Sequence, residues 1–269
     1  MTGLLIRLAG PLQSWGERSA FSAVRDTAPF PTRSGLTGIL AAAEGLPRGA
    51  ALDGYAELEF TVRIDRPGVL LTDYHTVGGG FPARLTAATS GGKNKGDAVV
   101  TRRHYLADAV FVVAVTGPDQ RIKEIGTALQ KPHWAPYLGR RSCVPDEPFL
   151  LRQAMADPIA ELLTEIPLAS PYTDERLGRP NPTTAQSVPV EFLWEQPPSD
   201  RRDAVYLTAH DHPVSFGEHE HAHTKRHIYR TVERLPAGLL DHGEHTVHER
   251  LIDYATHLTG STELTETTA

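Results

Sequence analysis

Residues 57–65 alternate without a break: Leu58, Phe60, Val62 and Ile64 fall on one side, and Glu59, Thr61, Arg63 and Asp65 on the other. That period of two is the signature of a β-strand. An apolar run at 3–9, closed by Gly10-Pro11, predicts an earlier strand. Between the two, Leu36, Ile39, Leu40 and Ala43 recur at helical spacing over 35–44, with Ser34 as N-cap and Gly45 as stop signal. A turn at Arg66-Pro67-Gly68 sends the chain back through a strand at 69–77, and 107–116 reads as another. Pro118 then opens a second helix over 119–131, whose buried stripe is Ile122, Ile125, Ala128 and Leu129. Strand, helix, strand pair, strand and helix in this order predict an α+β fold of the ferredoxin-like, split βαβ type with an extended hairpin inserted. The pattern does not reveal a fourth core strand.

The stretch from Gly78 to Gly96 carries Gly78-Gly79-Gly80 and Gly91-Gly92-Lys93-Asn94-Lys95-Gly96. It has too little apolar surface for a core of its own and reads as the mobile end of the hairpin. Past Gln130 the chain turns proline-rich. A short helix is expected at 158–165 and strands at 188–194, 205–209 and 227–232, read together as a smaller β-rich C-terminal portion. An amphipathic stretch at 247–258 precedes a tail expected to be disordered over its last ten residues.

The 40% apolar and 22% charged residues of this 269-residue chain are those of a globular protein and exclude fibrous or wholly disordered classes. No apolar run is long enough to span a membrane, and no signal-type N-terminus is seen; with one cysteine, Cys143, this points to the cytoplasm. A net charge of −6 argues at first against a nucleic-acid partner. From Asp241 onward, however, six acidic residues face one basic residue, Arg250, so the rest of the chain is nearly neutral. Within it lie two basic stretches, 93–104 and 131–141, so local phosphate binding is open to this chain.

Most familiar chemistries fail on spacing. Ten of the thirteen histidines fall between His210 and His257, including His219, His221 and His223. No cysteine accompanies them and no zinc spacing occurs, so neither a metal nor any other cofactor is expected. The glycine clusters lack a phosphate-loop signature, and no Gly-x-Ser-x-Gly elbow is present. Cys143 stands beside Arg140 and Arg141, which would lower a thiol pKa, yet a structural cysteine is the plainer reading.

The informative residues sit in short irregular pieces between core elements. Trp15 lies in the loop Gly10 to Gly16; Arg25, then Arg33 and Ser34, lead into the first helix, whose N-terminal amides suit an anion. Tyr74 and His75 lie at one root of the hairpin, and Arg102, Arg103, His104 and Tyr105 at the other. Tyr137, Arg140 and Arg141 follow the second helix. Arginines to neutralise phosphate and aromatic rings to stack on bases are what single-stranded RNA requires. His75, His104 and Tyr74 are also groups that a metal-independent ribonuclease would use as base and acid.

Arg7-Leu8-Ala9-Gly10-Pro11 with Gln13, Trp15 and Gly16, then Phe30-Pro31-Thr32-Arg33-Ser34-Gly35-Leu36, Asp73-Tyr74-His75-Thr76-Val77, Tyr105-Leu106-Ala107-Asp108-Ala109 and Tyr137-Leu138-Gly139-Arg140-Arg141-Ser142-Cys143 together resemble the CasD family of CRISPR-associated proteins, a subunit of the type I-E Cascade surveillance complex. The resemblance is tight over Arg7 to Cys143 and looser to about Pro236. It implies an RRM-like, ferredoxin-like domain over 1–143 with a β-hairpin thumb at about 77–106 and a smaller β-rich portion over 144–236, while the acidic tail over 237–269, expected to be partly disordered, reads as an extension peculiar to this chain. It further implies a non-catalytic, RNA-binding role in antiviral defence. The subunit would hold the crRNA five-prime handle, touch the Cascade backbone and large subunits, and meet target DNA only indirectly, since guide pairing supplies sequence specificity in such particles. The alternative reading is a metal-independent CRISPR repeat endoribonuclease.

Overall fold

The computed structural model describes residues 2–17, 22–86, 94, 98–169, 186–196, 203–217, 222–240 and 246–256. The first predicted strand, β1 (Gly3–Ala9), runs antiparallel to β7 (Val110–Thr116) from Gly3↔Thr116 to Ala9↔Val110. The alternating strand, β4 (Glu59–Arg66), lies on the other side of β7. The strand hidden in the sequence is β8 (Leu150–Met155), paired with the free edge of β1 through two register shifts. Its short segment Leu-Leu-Arg-Gln-Ala-Met has no clean alternation, which is why periodicity misses it. Helix α1 (Arg33–Ala43) connects β1 to β4 by way of short strands, and α2 (Asp119–Gln130) connects β7 to β8. The N-cap of α1 is Thr32, not Ser34: the Thr32 hydroxyl accepts from the Gly35 amide at 3.3 Å, while Ser34 already lies within the helix.

Both helices cover one face of the sheet. There Leu4, Ile6 and Leu8 of β1 and Phe111, Val113 and Val115 of β7 meet Leu36, Ile39 and Leu40 of α1 and Ile122, Ile125 and Leu129 of α2. The opposite face is covered as well, by α3 (Pro158–Thr164), by Leu168 after it, by Leu239 and Leu240 after the last strand, and by Leu251 of α4 (Val247–Thr256). Every residue of β7 is consequently buried. The polar side of β4 also lies inside. Arg63 is fully buried, paired with both carboxylate oxygens of Asp65 at 2.6 and 3.0 Å, and donates to the carbonyls of Leu162, Ile166 and Pro167 at 2.8, 3.1 and 3.0 Å.

The C-terminal strands extend the same sheet. β9 (Ser187–Trp194) pairs with β4 through Val62↔Leu193, β11 (Ala222–Pro236) with β9, and β10 (Val205–Ser215) with β11. The seven-stranded order is β10-β11-β9-β4-β7-β1-β8. The last two strands run well beyond the expected 205–209 and 227–232, into the histidine-rich region. They are locked to α1 by a buried ion network: Asp211 accepts from Arg226 at 2.6 and 2.8 Å and from the Arg33 amide at 2.7 Å, and Glu195 joins Arg226 to the Arg33 guanidinium. Partially buried His212, crowded by Arg33 and Arg226, is pushed below the ordinary histidine pKa, first by desolvation and then by those cations.

A second sheet carries the hairpin. β5 (Val69–Val77) and β6 (Val99–Ala107) pair over nine residues, and β6 also takes the two-residue strands β2 (Leu12–Gln13) and β3 (Val24–Arg25). Of the stretch 78–96 expected to be mobile, 78–86 and Asn94 are described, with a 3-10 turn at Ala83–Leu85, while 87–93 and 95–96 lie outside the described residues, as do His219, His221 and the tail from 257.

Candidate nucleic-acid interface

Strand register divides the hairpin-root residues between two faces. Directly opposed residues of an antiparallel pair share a face, and neighbours along a strand do not. Tyr74 opposes Arg102 and Thr72 opposes His104, so Tyr74, Arg102 and His104 lie on one side. His75 opposes Thr101 and Asp73 opposes Arg103, which places His75, Arg103 and Tyr105 on the other, where the His75 ring comes within 3.7 Å of Asp73. His75 and His104 thus point away from each other. They cannot act as base and acid on one ribose, because both groups must reach the same reacting centre.

The face bearing Arg103 gathers further cations. β3 runs parallel to β6 with Arg25 beside Arg103. Arg140 arrives from the loop after α2, with its guanidinium 4.5 Å above the Tyr105 ring and Nη2 donating to the Arg25 carbonyl at 3.2 Å. Nη1 of Arg140 is buried with no hydrogen-bond partner. Nε of Arg103 donates to the Thr101 hydroxyl at 3.3 Å, and Arg141 and Tyr137 are exposed at the loop rim. Arg140 therefore caps the Tyr105 ring, Arg103 shares that face of β6 and Arg25 pairs beside Arg103, a grouping of cations suited to phosphate.

The loop holding Arg140 and Arg141 is pinned by its backbone. The Ser14 amide donates to the Leu138 carbonyl at 3.0 Å, the Leu138 amide to Cys143, and the Cys143 amide to Arg140, both at 2.8 Å. Gly139 adopts φ +84°, and a Cβ there would stand 1.7 Å from the Ser14 carbonyl oxygen. Ser14 in turn donates through Oγ to the His104 carbonyl at 3.0 Å, so the loops after β1 and α2 and the hairpin root are one construction. Cys143 is buried, and desolvation raises its thiol pKa despite its Ser142 and Arg140 neighbours; an activated nucleophile is not what this loop builds.

Three residues expected to touch RNA are interior. Trp15 is 1% exposed, packs against Gly35 and donates through Nε1 to Gln13 at 3.1 Å. Arg33 is 5% exposed: it pairs with Glu195, donates to the carbonyls of Tyr55 and Leu58 at 3.1 and 2.9 Å, and lies 5.1 Å from the Phe60 ring centroid. Tyr105 is largely buried beneath Arg140, as an aromatic floor. Ser34 spends its hydroxyl on Thr32 at 3.4 Å. The N-terminus of α1 faces Asp211 rather than an external anion, because the Arg33 amide is already occupied.

Arg7, which sequence reasoning left out of the site, is a partly buried cation on β1 whose Nε and Nη1 have no hydrogen-bond partner. Burial lowers its pKa, opposed mainly by Asp65 and Asp146. An arginine inside the apolar run Leu-Leu-Ile-Arg-Leu-Ala was the visible signal. Among the described residues there is no group of three or more side chains able to hold a metal ion, and no helix long and apolar enough to cross a membrane.

The family model for CRISPR-associated protein Cas5 matches residues 3–230. The chain belongs to the Cas5 family. This Cas5 chain is 38% identical over 210 residues to the CRISPR system Cascade subunit CasD of Escherichia coli (strain K12), covering 72% of the present chain and 91% of that protein. It is similar to a chain of a solved CRISPR RNA-guided surveillance complex, with a TM-score of 0.80 and 43% identity, covering 94% of this chain and 99% of the other. A crystal structure of a Cas protein is also similar, at TM-score 0.58 and 29% identity, over 90% of this chain and 99% of that one.

Proposed function

We propose that this Cas5 protein is the CasD-type subunit of a type I-E Cascade particle and holds the five-prime handle of CRISPR RNA at the hairpin root. The observation that carries the reading is Arg140 capping the Tyr105 ring, with Arg103 on the same face of β6, Arg25 paired beside Arg103, and Arg141 and Tyr137 exposed on the loop that holds Arg140. The likeness to a chain of an RNA-guided surveillance complex supports it. The order β4-β7-β1-β8 with α1 and α2 on one face supports a ferredoxin-like, RRM-like domain. The opposite face of that sheet, the open RNA-binding side in simple RRM domains, is filled here by α3, α4 and their connections, which leaves the hairpin root to do the binding. The hairpin is then the thumb. Val69, Leu70, Leu71 and Tyr74 are 45–67% exposed on β5, and their apolar surface suits the adjacent backbone subunit. The large subunit and, indirectly, target DNA complete the set of partners.

Replacing Arg103 and Arg141 together with alanine is expected to weaken binding of handle RNA at least about tenfold, since each charge-assisted contact contributes about 1–3 kcal/mol. Filter binding at fixed salt measures it, and unchanged affinity removes both residues from the site. The protein is also expected to leave labelled repeat RNA intact, with or without divalent metal, because His75 and His104 lie on opposite faces of the hairpin. Specific cutting at the handle boundary, abolished by His75→Ala or His104→Ala, would instead make this an endoribonuclease.

A further inference from the structure

The outer end of the seven-stranded sheet, which does not include the hairpin strands, carries a row of rings with no part in the site above. Tyr206 on β10 opposes Tyr229 on β11, and Tyr229 opposes Trp194 on β9, so the three side chains stand on one face across three neighbouring strands. The row begins inside the protein. Phe192 is fully buried and stacks on Trp194, with centroids 5.5 Å apart and planes 17° from parallel. Trp194 is held by its Nε1 donating to Thr231 at 2.9 Å, and Thr231 donates to buried Glu233 at 2.7 Å. The row ends in solvent. Tyr206 is 53% exposed, lies 5.8 Å from Tyr229 and 4.8 Å from the His227 ring, and its hydroxyl is hydrogen-bonded to that ring.

Cross-strand ring pairs stabilise a sheet, which accounts for Phe192, Trp194 and Tyr229. It does not account for a tyrosine on the outermost strand held by a histidine with half its surface in water. What surrounds Tyr206 indicates the occupant. By strand alternation, exposed Thr208 and Lys225 share its face with His227, and Glu233, the carboxylate on the same side of β11, is buried. Among the described residues from 206 to 208 and 225 to 233, the exposed groups on this face are therefore rings, a hydroxyl and an ammonium. The reverse face is different: there Val205 and Val232 are exposed and Arg230 pairs with Glu191. A protein partner would be better served by that mixed apolar and charged surface. Rings beside an exposed lysine are the equipment for stacked bases and their phosphates.

We infer that the face formed by Tyr206, His227, Tyr229 and Lys225 is a second, sequence-tolerant stacking site for single-stranded RNA. The inference rests on the reading of this protein as an RNA-binding subunit. Such a site would steady a guide strand beyond the nucleotides held at the hairpin root, since stacking requires only a π-face from the base.

The test uses the full-length protein and a uridine-rich oligoribonucleotide that lacks the handle sequence and carries 4-thiouridine for photo-crosslinking. Crosslinked peptides are expected to include Tyr206 or His227. Tyr206→Ala and His227→Ala are each expected to lower affinity for this oligonucleotide at least about fivefold, and Tyr206→Phe, which keeps the ring, to restore it. RNA binding that both alanine variants retain in full, with crosslinks confined to the hairpin root, overturns the inference and leaves the handle reading standing. Loss in Tyr206→Ala with no loss in the Arg103 and Arg141 double variant on handle RNA supports this site and overturns that reading. No binding of either RNA overturns both.

Discussion

Arg63→Met is expected to destabilise the fold by about 3–5 kcal/mol, several times the effect of an ordinary substitution. The side chain is fully buried on β4 and makes five hydrogen bonds: two to Asp65 and three to the carbonyls of Leu162, Ile166 and Pro167. Methionine fills similar volume but leaves the Asp65 carboxylate without its cation and the end of α3 with unpaired carbonyls. Removing one partner of a buried pair is costly because the other keeps its desolvation penalty. Arg63 also ties the covering layer to the central sheet, so its loss should loosen α3 before the helices on the other face. Urea denaturation measures the midpoint, and hydrogen exchange of residues 158–168 reports the local opening. Exchanging the carboxylate as well, in Arg63→Met with Asp65→Leu, should recover part of the loss. A midpoint within error of wild type for the single variant would show that the network contributes little.

Gly139→Ala is expected to cost at least about 2 kcal/mol and to reduce handle-RNA affinity further than that loss of stability explains. Alanine at φ +84° is strained, and its Cβ would sit 1.7 Å from the Ser14 carbonyl oxygen, a distance that only backbone movement relieves. That movement separates the loop carrying Arg140 and Arg141 from the loop after β1, and with it the guanidinium from the Tyr105 ring. Gly38→Ala in α1 is the matched control. Nothing lies within 4 Å of a Cβ at that position, so alanine should be neutral or stabilise the helix by up to about 1 kcal/mol. Thermal unfolding of the two variants, followed by RNA titration of each, separates loop placement from general stability. Equal melting temperatures and equal affinities would contradict the role given to this turn.

Much of the chain was legible before any tertiary structure was available. Strict alternation gave β4 its type, helical spacing located α1 and α2 within a residue or two, and the turn at Arg66-Pro67-Gly68 correctly joined β4 to β5. These signals are local: they depend on which side chains share a face of one element, and that follows from backbone geometry alone. The short motifs from Arg7 to Cys143 were enough to suggest the family, since they require only residue identity and order.

What lies against each face was decided by contacts distant in sequence. The polar side of β4 reads like a wet surface, yet Arg63 and Asp65 are sealed beneath residues 162–169, about a hundred positions away. Arg33 has the sequence context of an anion ligand, but Glu195 at the end of β9 and the pair of Arg226 on β11 with Asp211 on β10 meet it and make it part of the interior. Local pattern predicts strand in the histidine-rich stretch only at 227–232. Both β10 and β11 run further into it, because β11 finds partners on both of its edges and backbone pairing overrides a weak local pattern. Register is the other long-range decision. Alternation alone sends Tyr74 and His75, like Arg102 and Arg103, to opposite sides of the hairpin, and only the pairing of β5 with β6 decides that Tyr74 shares a side with Arg102 and His75 with Arg103. Composition and order thus determined which chemistry this chain carries, whereas strand register and burial decided which of those groups meet, because each depends on a partner that no local window of sequence contains.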